Sequence, residues 1–565
     1  MFSDPVVGDH FFGRREIIDL LVKRTQALKS GYRQNVAIIG HQQLGKTSIL
    51  RHFLHLHQDP DILAIYVEIK LQALDYFIDQ FVRSLLYQYL IQKEAMDPME
   101  SLTQLIEKAS PFIPKTVKRI QDIRVLLRHR HAEDAYSKLF ELTSSIKQET
   151  GKNCIVILDE FHRLGEFGVK NAFSDFGKRI MVQKDTMYLV SSSSFSASRR
   201  ILAEKLALLF GNFERIYLEP FDFDIAFEFL EKKLAPTGIS QNLKHFLAAF
   251  TDGHPFFLET ITTRIREMSA ARLETEVSGK VIGEVLLKLL FESQGILNQF
   301  FIKLISPWTR ADSRGSHLLI LIELAKGKNK LNNLSQAINR GQKETSKQVQ
   351  ELIEHELILK TGMFYRFHNK IFKFWLREVY EKKEWSLLGT SGKAEDFLRR
   401  IEEMIYEYDE LLKLDVSERI LGLFALFRNE MVEFGEKRRK LPHFTELIKM
   451  EPDPSRLKGN SRSVVAKGHG RCWVCKITEE KATESEVRDL VSGVDKNKKD
   501  SSTKVLVALG GADENAKLLA KEKRVLTLGL SRINLLMDLY GNPPIIQTGK
   551  YSAQESRCLP PRTVQ

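Results

Sequence analysis

Two clusters of chemically able residues stand out in the chain. The first is Gly40-His41-Gln42-Gln43-Leu44-Gly45-Lys46-Thr47-Ser48, which reads Gly-x4-Gly-Lys-Thr, a spacing suited to cradling phosphate. Its glycines let the backbone approach an anion closely, and the start of a following helix points N–H groups at it. In such a loop Lys46 reaches β- and γ-phosphates, and the Thr47 hydroxyl binds Mg²⁺. The second cluster is Asp159-Glu160, which closes the apolar run Cys154-Ile155-Val156-Ile157-Leu158. A buried strand ending in two carboxylates delivers them to the edge of a parallel sheet, where ligands bind in open α/β folds. Asp159 is placed to hold the Mg²⁺ shell, and Glu160 to orient and deprotonate an attacking water.

Each cluster needs particular elements to position it. Before the glycine loop, Val36-Ala37-Ile38-Ile39 has the apolar continuity of a buried parallel strand. After it, Ile49, Leu50, Phe53 and Leu54 recur at helical spacing on one face. A second strand is expected at Ile62 to Ile69, and a largely helical stretch over 72–150. Within that stretch the basic run from Lys115 to His131 reads as a solvated helix face. Met187-Tyr188-Leu189-Val190 and Arg215-Ile216-Tyr217-Leu218 predict two more strands. The first ends in Ser191 to Ser194, where Ser192 or Ser193 could sense a γ-phosphate; Ser193 is carried as the site residue. Arg199, Arg200 and Arg215 fit either arginine fingers or ordinary surface cations.

The totals set outer bounds. The chain has 565 residues and a net charge of +12, with a mean hydropathy of −0.24. That length predicts three or four domains with real cores, and the basic excess favours polyanionic partners without specifying a fold. Met1-Phe2-Ser3-Asp4-Pro5 lacks the pattern of a secretory leader, and no apolar run reaches membrane-spanning length. With four cysteines, a reducing, cytoplasmic location without membrane association is expected.

The entry segment Phe11-Phe12-Gly13-Arg14-Arg15-Glu16, both clusters above, the serine-rich strand, Glu219-Pro220-Phe221 and Thr251-Asp252-Gly253-His254-Pro255 together resemble one family. It is the archaeal and bacterial type of P-loop ATPase in the STAND-related AAA+ group, and the resemblance covers about residues 10–270. It implies a parallel αβα sandwich with a helical lid, ATP or ADP as ligand with Mg²⁺, and nucleotide state as a conformational switch. It also implies that Phe12, Gly13 and Arg14 lie beside the adenine. Gly253 and Pro255 would belong to the lid that closes on the nucleotide, and the serine-ended strand would lie between the two motif strands.

Beyond the ATPase region, residues 316–380 resemble a winged helix-turn-helix. Its third helix carries Lys343, Ser346, Lys347, Gln348 and Gln350 but also Glu344, Glu351 and Glu354. Major-groove binding to double-stranded DNA and intramolecular packing therefore both stay open. Residues 393–436 read as two long helices with a seam of Phe397, Ile401, Met404, Tyr408 and Leu411. Residues 443–545 resemble a PD-(D/E)xK restriction-endonuclease-like domain, anchored on strands from Ser461 to Ala466 and from Gly470 to Lys476. Ser463 and Val474 stand where such nucleases carry acids, and only Lys476 remains, so two of three expected groups are missing. Glu479, Glu480 or Glu484 would have to migrate to restore an acid. Cys472 and Cys475 fall on opposite faces of a strand, which argues against a metal pair.

The expected architecture is therefore multidomain α/β. A P-loop ATPase core spans 1–220, a helical lid 221–300, a winged helix 301–385, a helical hairpin 386–442, a nuclease-like domain without cleaving ability 443–545, and a tail 546–565. The preferred function is a slowly hydrolysing ATP switch acting on C-terminal modules. A DNA-binding regulator or scaffold and an ATP-gated nuclease are the alternatives, and nucleotide-driven self-association is left open.

Overall fold

The computed structural model describes residues 4–546 apart from 71–72, 94–96, 206–212, 310–314, 385–390, 436, 451–461, 469–470 and 495–501. Ser461, Gly470 and the tail 547–565 lie outside the described residues. The chain divides into two units, Met1–Pro220 and Phe221–Gln565.

In the first unit, strands β1 (Asn35–Ile39), β2 (Ile62–Glu68), β3 (Asn153–Asp159), β4 (Thr186–Ser192) and β5 (Phe213–Tyr217) form one sheet. Their order is β2-β3-β4-β1-β5, with every neighbouring pair parallel. The serine-ended β4 thus lies between β1 and β3, where it was expected. All five residues of β1 are buried, because parallel sheets carry helices on both faces and their strands are apolar on both. Ala37 and Ile39 join one core with Phe77, Phe81 and Phe140. Val36 and Ile38 join the opposite core with Ile49, Leu50 and Phe53. Helices α1 (Arg15–Lys29) and α2 (Lys46–Leu56) flank that second face, with Leu21 and Leu28 of α1 in the same core. Because β1, β3 and β4 run in parallel, Gly40, Asp159 and Ser192 all emerge at one sheet edge.

Among the described residues, five helices lie between β2 and β3. The helix Pro114–Arg128 buries Thr116, Val117, Ile120 and Ile123 and leaves Lys115, Lys118, Arg119 and Arg128 exposed. Its basic run is a solvated face, as its spacing predicts.

The second unit opens with helices that include Phe223–Leu234, Gln241–Thr251 and Pro255–Arg272. Short strands β6 (Gly238–Ile239) and β7 (Glu276–Val277) pair in parallel among them. Gly253 has φ of 67°, and a Cβ there would stand 2.1 Å from the Phe221 carbonyl oxygen. The Phe221 N–H donates to the Gly253 carbonyl at 2.9 Å. Glycine is therefore required by both conformation and space, and Pro255 opens the next helix at a position that needs no N–H. Gly315–Ala325, Leu331–Ala337 and Gln342–Glu354 are helices, followed by the antiparallel pair β8 (Ile358–Thr361) and β9 (Phe364–Phe367). The turn of that pair is engaged, since the Met363 N–H donates to the Met431 carbonyl at 3.0 Å.

One expectation is corrected here. Residues 393–436 are not two long helices: Ser391–Lys413 is long, but the second helix, Val416–Ala425, is short. The chain then forms an antiparallel hairpin of β10 (Met431–Phe434) and β11 (Lys437–Lys440), so 386–442 is not wholly helical. Val432 and Phe434 are buried while Met431 and Glu433 are half-buried, a strand alternation that helical extrapolation overlooks. Gly435, at φ 61°, lies in the hairpin turn.

A further five-stranded sheet completes the unit: β12 (Glu446–Met450), β13 (Arg462–Gly468), β14 (Arg471–Thr478), β15 (Ser502–Ala508) and β16 (Leu526–Gly529), in that order. The first three strands are antiparallel and the last three parallel. Trp473, Cys475 and Ile477 face one core with Phe424 and Ile533, whereas Val474 packs on the opposite core. Cys472 and Cys475 therefore point apart; burial pushes the Cys475 thiol far above its ordinary pKa.

Candidate nucleotide site

The loop after β1 is held down at both sides of the strand. The Gly40 N–H donates to the Ser192 carbonyl at 3.2 Å, and the Leu218 N–H donates to the Ile39 carbonyl at 2.7 Å. Gly45, at φ 92°, makes the left-handed turn from which α2 starts at Lys46; any side chain there would be strained. Leu44 is buried in the core beneath the loop, so it contributes backbone alone. Lys46 is 4% exposed, and its ammonium donates to the His41 carbonyl at 2.7 Å. A buried cation folded back over its own glycine loop fits a site for a phosphate anion, which would take the place of the carbonyl contact.

Asp159 is fully buried and accepts three hydroxyl hydrogen bonds. Thr47 Oγ1 donates to Oδ2 at 2.7 Å, Tyr66 Oη donates to the same oxygen at 3.0 Å, and Ser191 Oγ donates to Oδ1. Burial first, and then the charge on Asp159, push the Tyr66 phenol far above its ordinary pKa, so it stays a donor. The donor set of Thr47 and Asp159 is all oxygen, which suits a hard cation such as Mg²⁺. Among the described residues no group of three or more His, Cys, Asp or Glu is arranged to hold a metal.

Glu160 turns away from the strand at φ 61°. Its Oε2 accepts from both the backbone N–H and the hydroxyl of Ser193, at 2.8 and 2.7 Å. Ser193, expected to sense a phosphate, therefore holds the candidate base in this arrangement. His162 Nδ1 lies 3.4 Å from Glu160 Oε2 and 2.9 Å from Ser192 Oγ. Burial lowers the His162 pKa, against the opposing pull of the Glu160 charge.

The entry segment packs on α2. Phe11 stacks on His52 with ring centroids 4.0 Å apart, the Gly8 N–H donates to His52 Nδ1, and the Val6 N–H donates to Ser48 Oγ at 3.1 Å. Ser48 thus tethers the N-terminal segment. Gly13 and Arg14 both have positive φ, and the Arg14 guanidinium donates to the Glu219 carbonyl. Of the three candidate fingers, Arg199 and Arg200 are exposed at the end of the helix Phe195–Arg200, and Arg215 sits within β5 opposite Ala37. Gly253 and Pro255 belong to the second unit.

A carboxylate pair, a buried loop lysine and a hydroxyl hydrogen-bonded to Asp159 thus meet at one edge of the parallel sheet. Residues 10–173 match the AAA ATPase domain. The matched stretch takes in the entry segment, the glycine loop and both carboxylates. Among solved structures, the chain is similar to the Walker-type ATPase PABY2304 of Pyrococcus abyssi, at 15% identity and a TM-score of 0.48, over 66% of this chain and 99% of that one. It is also similar to the Aeropyrum pernix ORC2 protein, at 12% identity and 0.42, over 72% and 97%. A third likeness is to the Thermotoga maritima RuvB Holliday junction branch migration motor, at 16% and 0.34, over 67% and 100%. No curated protein matches the sequence. Among the described residues no helix is long and apolar enough to cross a membrane.

Tyr66, Ser191 and His162 were not singled out by spacing. Tyr66 and Ser191 had a usable signal, a polar group at or near the C-terminal end of a buried strand. His162 follows Glu160 by two residues and had none. Its buried neutral ring has a testable consequence. With a folded pKa below the unfolded value near 6.5, the native state binds fewer protons, so stability is full above that value and falls as pH drops through the folded pKa. Thermal melts of wild type and His162→Asn should converge in their pH dependence above pH 7 and diverge below 6.5, the wild type losing stability more steeply. Parallel curves throughout would remove this role.

Proposed function

We propose that this protein is an ATP-driven molecular switch that binds ATP with Mg²⁺, hydrolyses it slowly and passes nucleotide state to its C-terminal modules. The observation that carries the reading is the linked cluster: Lys46 buried over the glycine loop, Thr47 joined to Asp159 at 2.7 Å, and Glu160 held by Ser193. Gly40 to Ser48 would cradle the phosphates, Lys46 would contact the β- and γ-phosphates, and Thr47 and Asp159 would hold the metal. When bound, Mg²⁺ neutralises charge on the phosphate oxygens. Glu160 orients a water and accepts its proton as the water oxygen bonds to the γ-phosphorus and the bond to the β–γ bridging oxygen breaks, leaving ADP and phosphate. In the arrangement seen, Glu160 must leave Ser193 to act, which fits slow turnover.

We read residues 221–300, with Gly253 and Pro255, as the helical lid, and 301–385 as a winged helix. The Lys330 ammonium pairs with the buried Glu430 at 2.8 Å, and Tyr540 Oη donates to the same carboxylate at 2.9 Å. With Met363 also engaged by Met431, these contacts support an intramolecular role for the wing, while Lys343, Ser346, Lys347 and Gln350 of the third helix stay exposed. We read residues 443–545 as a restriction-endonuclease-like module that does not cleave. Ser463 lies opposite Lys476 in the β13–β14 pairing. Lys476 is 8% exposed and pairs with Asp489 at 2.8 Å, so its charge is already met by a carboxylate of this chain. Glu479 pairs with Arg462 and Glu484 with Arg488.

The switch is tested by hydrogen exchange of the full chain with ADP and with a non-hydrolysable ATP analogue. Exchange in residues 315–546 should differ between the two states. Identical protection there, with nucleotide bound in both, would refute coupling.

A further inference from the structure

Strand β11 presents Lys437, Arg438, Arg439 and Lys440 in unbroken succession, all exposed. Arg471, at the start of β14, is also exposed. With Phe434, Trp473, Ser502 and Thr503, three of the hairpin cations and Arg471 line a cavity of about 550 Å³. Arg438 pairs with Glu433 at 2.9 Å. Among the described residues, Lys437, Arg439, Lys440 and Arg471 make no ion pair, so most of the positive charge is uncompensated. Arg532 adds a cation nearby, its guanidinium donating to the Thr527 carbonyl at 2.8 Å and lying 5.8 Å from the centre of the Phe434 ring.

Charged residues often guard the edge of a sheet against unwanted pairing. Edge protection does not require a second element to bring a further arginine and two hydroxyls to the same hollow. We propose that this basic hollow is a binding surface for the sugar–phosphate backbone of a nucleic acid. Successive side chains of β11 alternate faces, so cations on one face stand about 7 Å apart, close to two phosphate steps of one strand at about 3.4 Å per charge. Ser502 and Thr503 add hydroxyls suited to phosphate oxygens. Trp473 and Phe434 are 5% and 7% exposed, so they floor the hollow and offer no face for base stacking. Recognition is accordingly of backbone charge, independent of base sequence. The surface is distinct from the nuclease-like position: Lys476 lies five residues along β14 from Arg471, about 17 Å away. It also stands independently of the ATPase reading.

The test is fluorescence anisotropy of the full chain with short labelled single-stranded DNA, duplex DNA and RNA over a salt series. Wild type should bind at least one of them, with affinity falling steeply as salt rises. The combined variant Lys437→Ala, Arg439→Ala, Lys440→Ala, Arg471→Ala should bind at least 10-fold more weakly, its log–log salt slope reduced by about 3 to 4. The single variant Lys440→Glu guards against misfolding of the combined one and should also weaken binding. A control, Lys115→Ala, Lys118→Ala, Arg119→Ala, Arg128→Ala, removes equal charge from the solvated helix face and should leave binding intact. The proposal is overturned if wild type binds no nucleic acid, if the combined variant keeps the wild-type slope, or if the control loses as much. Binding to phosphatidylserine vesicles without binding to oligonucleotides would overturn it equally.

Discussion

Glu160→Gln lowers ATP turnover by about 10²- to 10⁴-fold while ATP still binds. Glutamine keeps the size of glutamate and an oxygen able to accept from the Ser193 N–H and hydroxyl, contacts of 2.8 and 2.7 Å in the wild type. What it loses is the capacity to take a proton from water at neutral pH. A loss of that size corresponds to about 2.7–5.5 kcal/mol of transition-state stabilisation. Lys46, Thr47 and Asp159 are untouched, so ground-state affinity should change little. Calorimetric titration of ATP into the variant checks this half of the prediction. His162, 3.4 Å from the same carboxylate, is the neighbouring group to which the role would pass if turnover survived.

Lys46→Ala weakens ATP binding by roughly 10- to 100-fold, the worth of a charge-assisted contact of about 1.5–3 kcal/mol. Folding should suffer little. Lys46 is 4% exposed and its ammonium donates to a loop carbonyl, that of His41. Removing it takes away a desolvated charge along with its hydrogen bonding, two effects of opposite sign. A melting temperature close to wild type, with ATP affinity reduced in calorimetry, separates a lost ligand contact from a collapsed loop. Unchanged affinity would contradict the assignment of the glycine loop.

The nucleotide core was legible because its signals are local and doubled. A buried parallel strand is apolar throughout, so Val36 to Ile39 and Cys154 to Leu158 announce themselves, and each ends in residues whose types suit one chemistry. What lay hidden depends on contacts between distant segments. Tyr66 and Ser191 reach Asp159 only because β2 and β4 both neighbour β3, and no spacing within either strand reveals that. The Ser193 contact with Glu160 is likewise a product of strand order. The hairpin of β10 and β11 was missed for another reason. A helical seam extends smoothly in the mind past Ala425, and only two buried residues, Val432 and Phe434, mark the change to strand alternation. The run Lys437 to Lys440 is contiguous in the sequence, but Arg471 is brought beside it by packing alone. Lys476 shows the same limit: its strand position was readable, whereas its partner Asp489, on the helix Glu484–Val494, was not.

The central claim is that Glu160, on a site built from Lys46, Thr47 and Asp159, performs Mg²⁺-dependent ATP hydrolysis. Phosphate release tests it most directly, measured for wild type and Glu160→Gln at saturating ATP, with Mg²⁺ and with the metal chelated. The account predicts steady release by wild type with Mg²⁺ alone, and release at least about 100-fold lower in the variant. Equal release by the two proteins, or wild-type release undiminished by chelation, would contradict it.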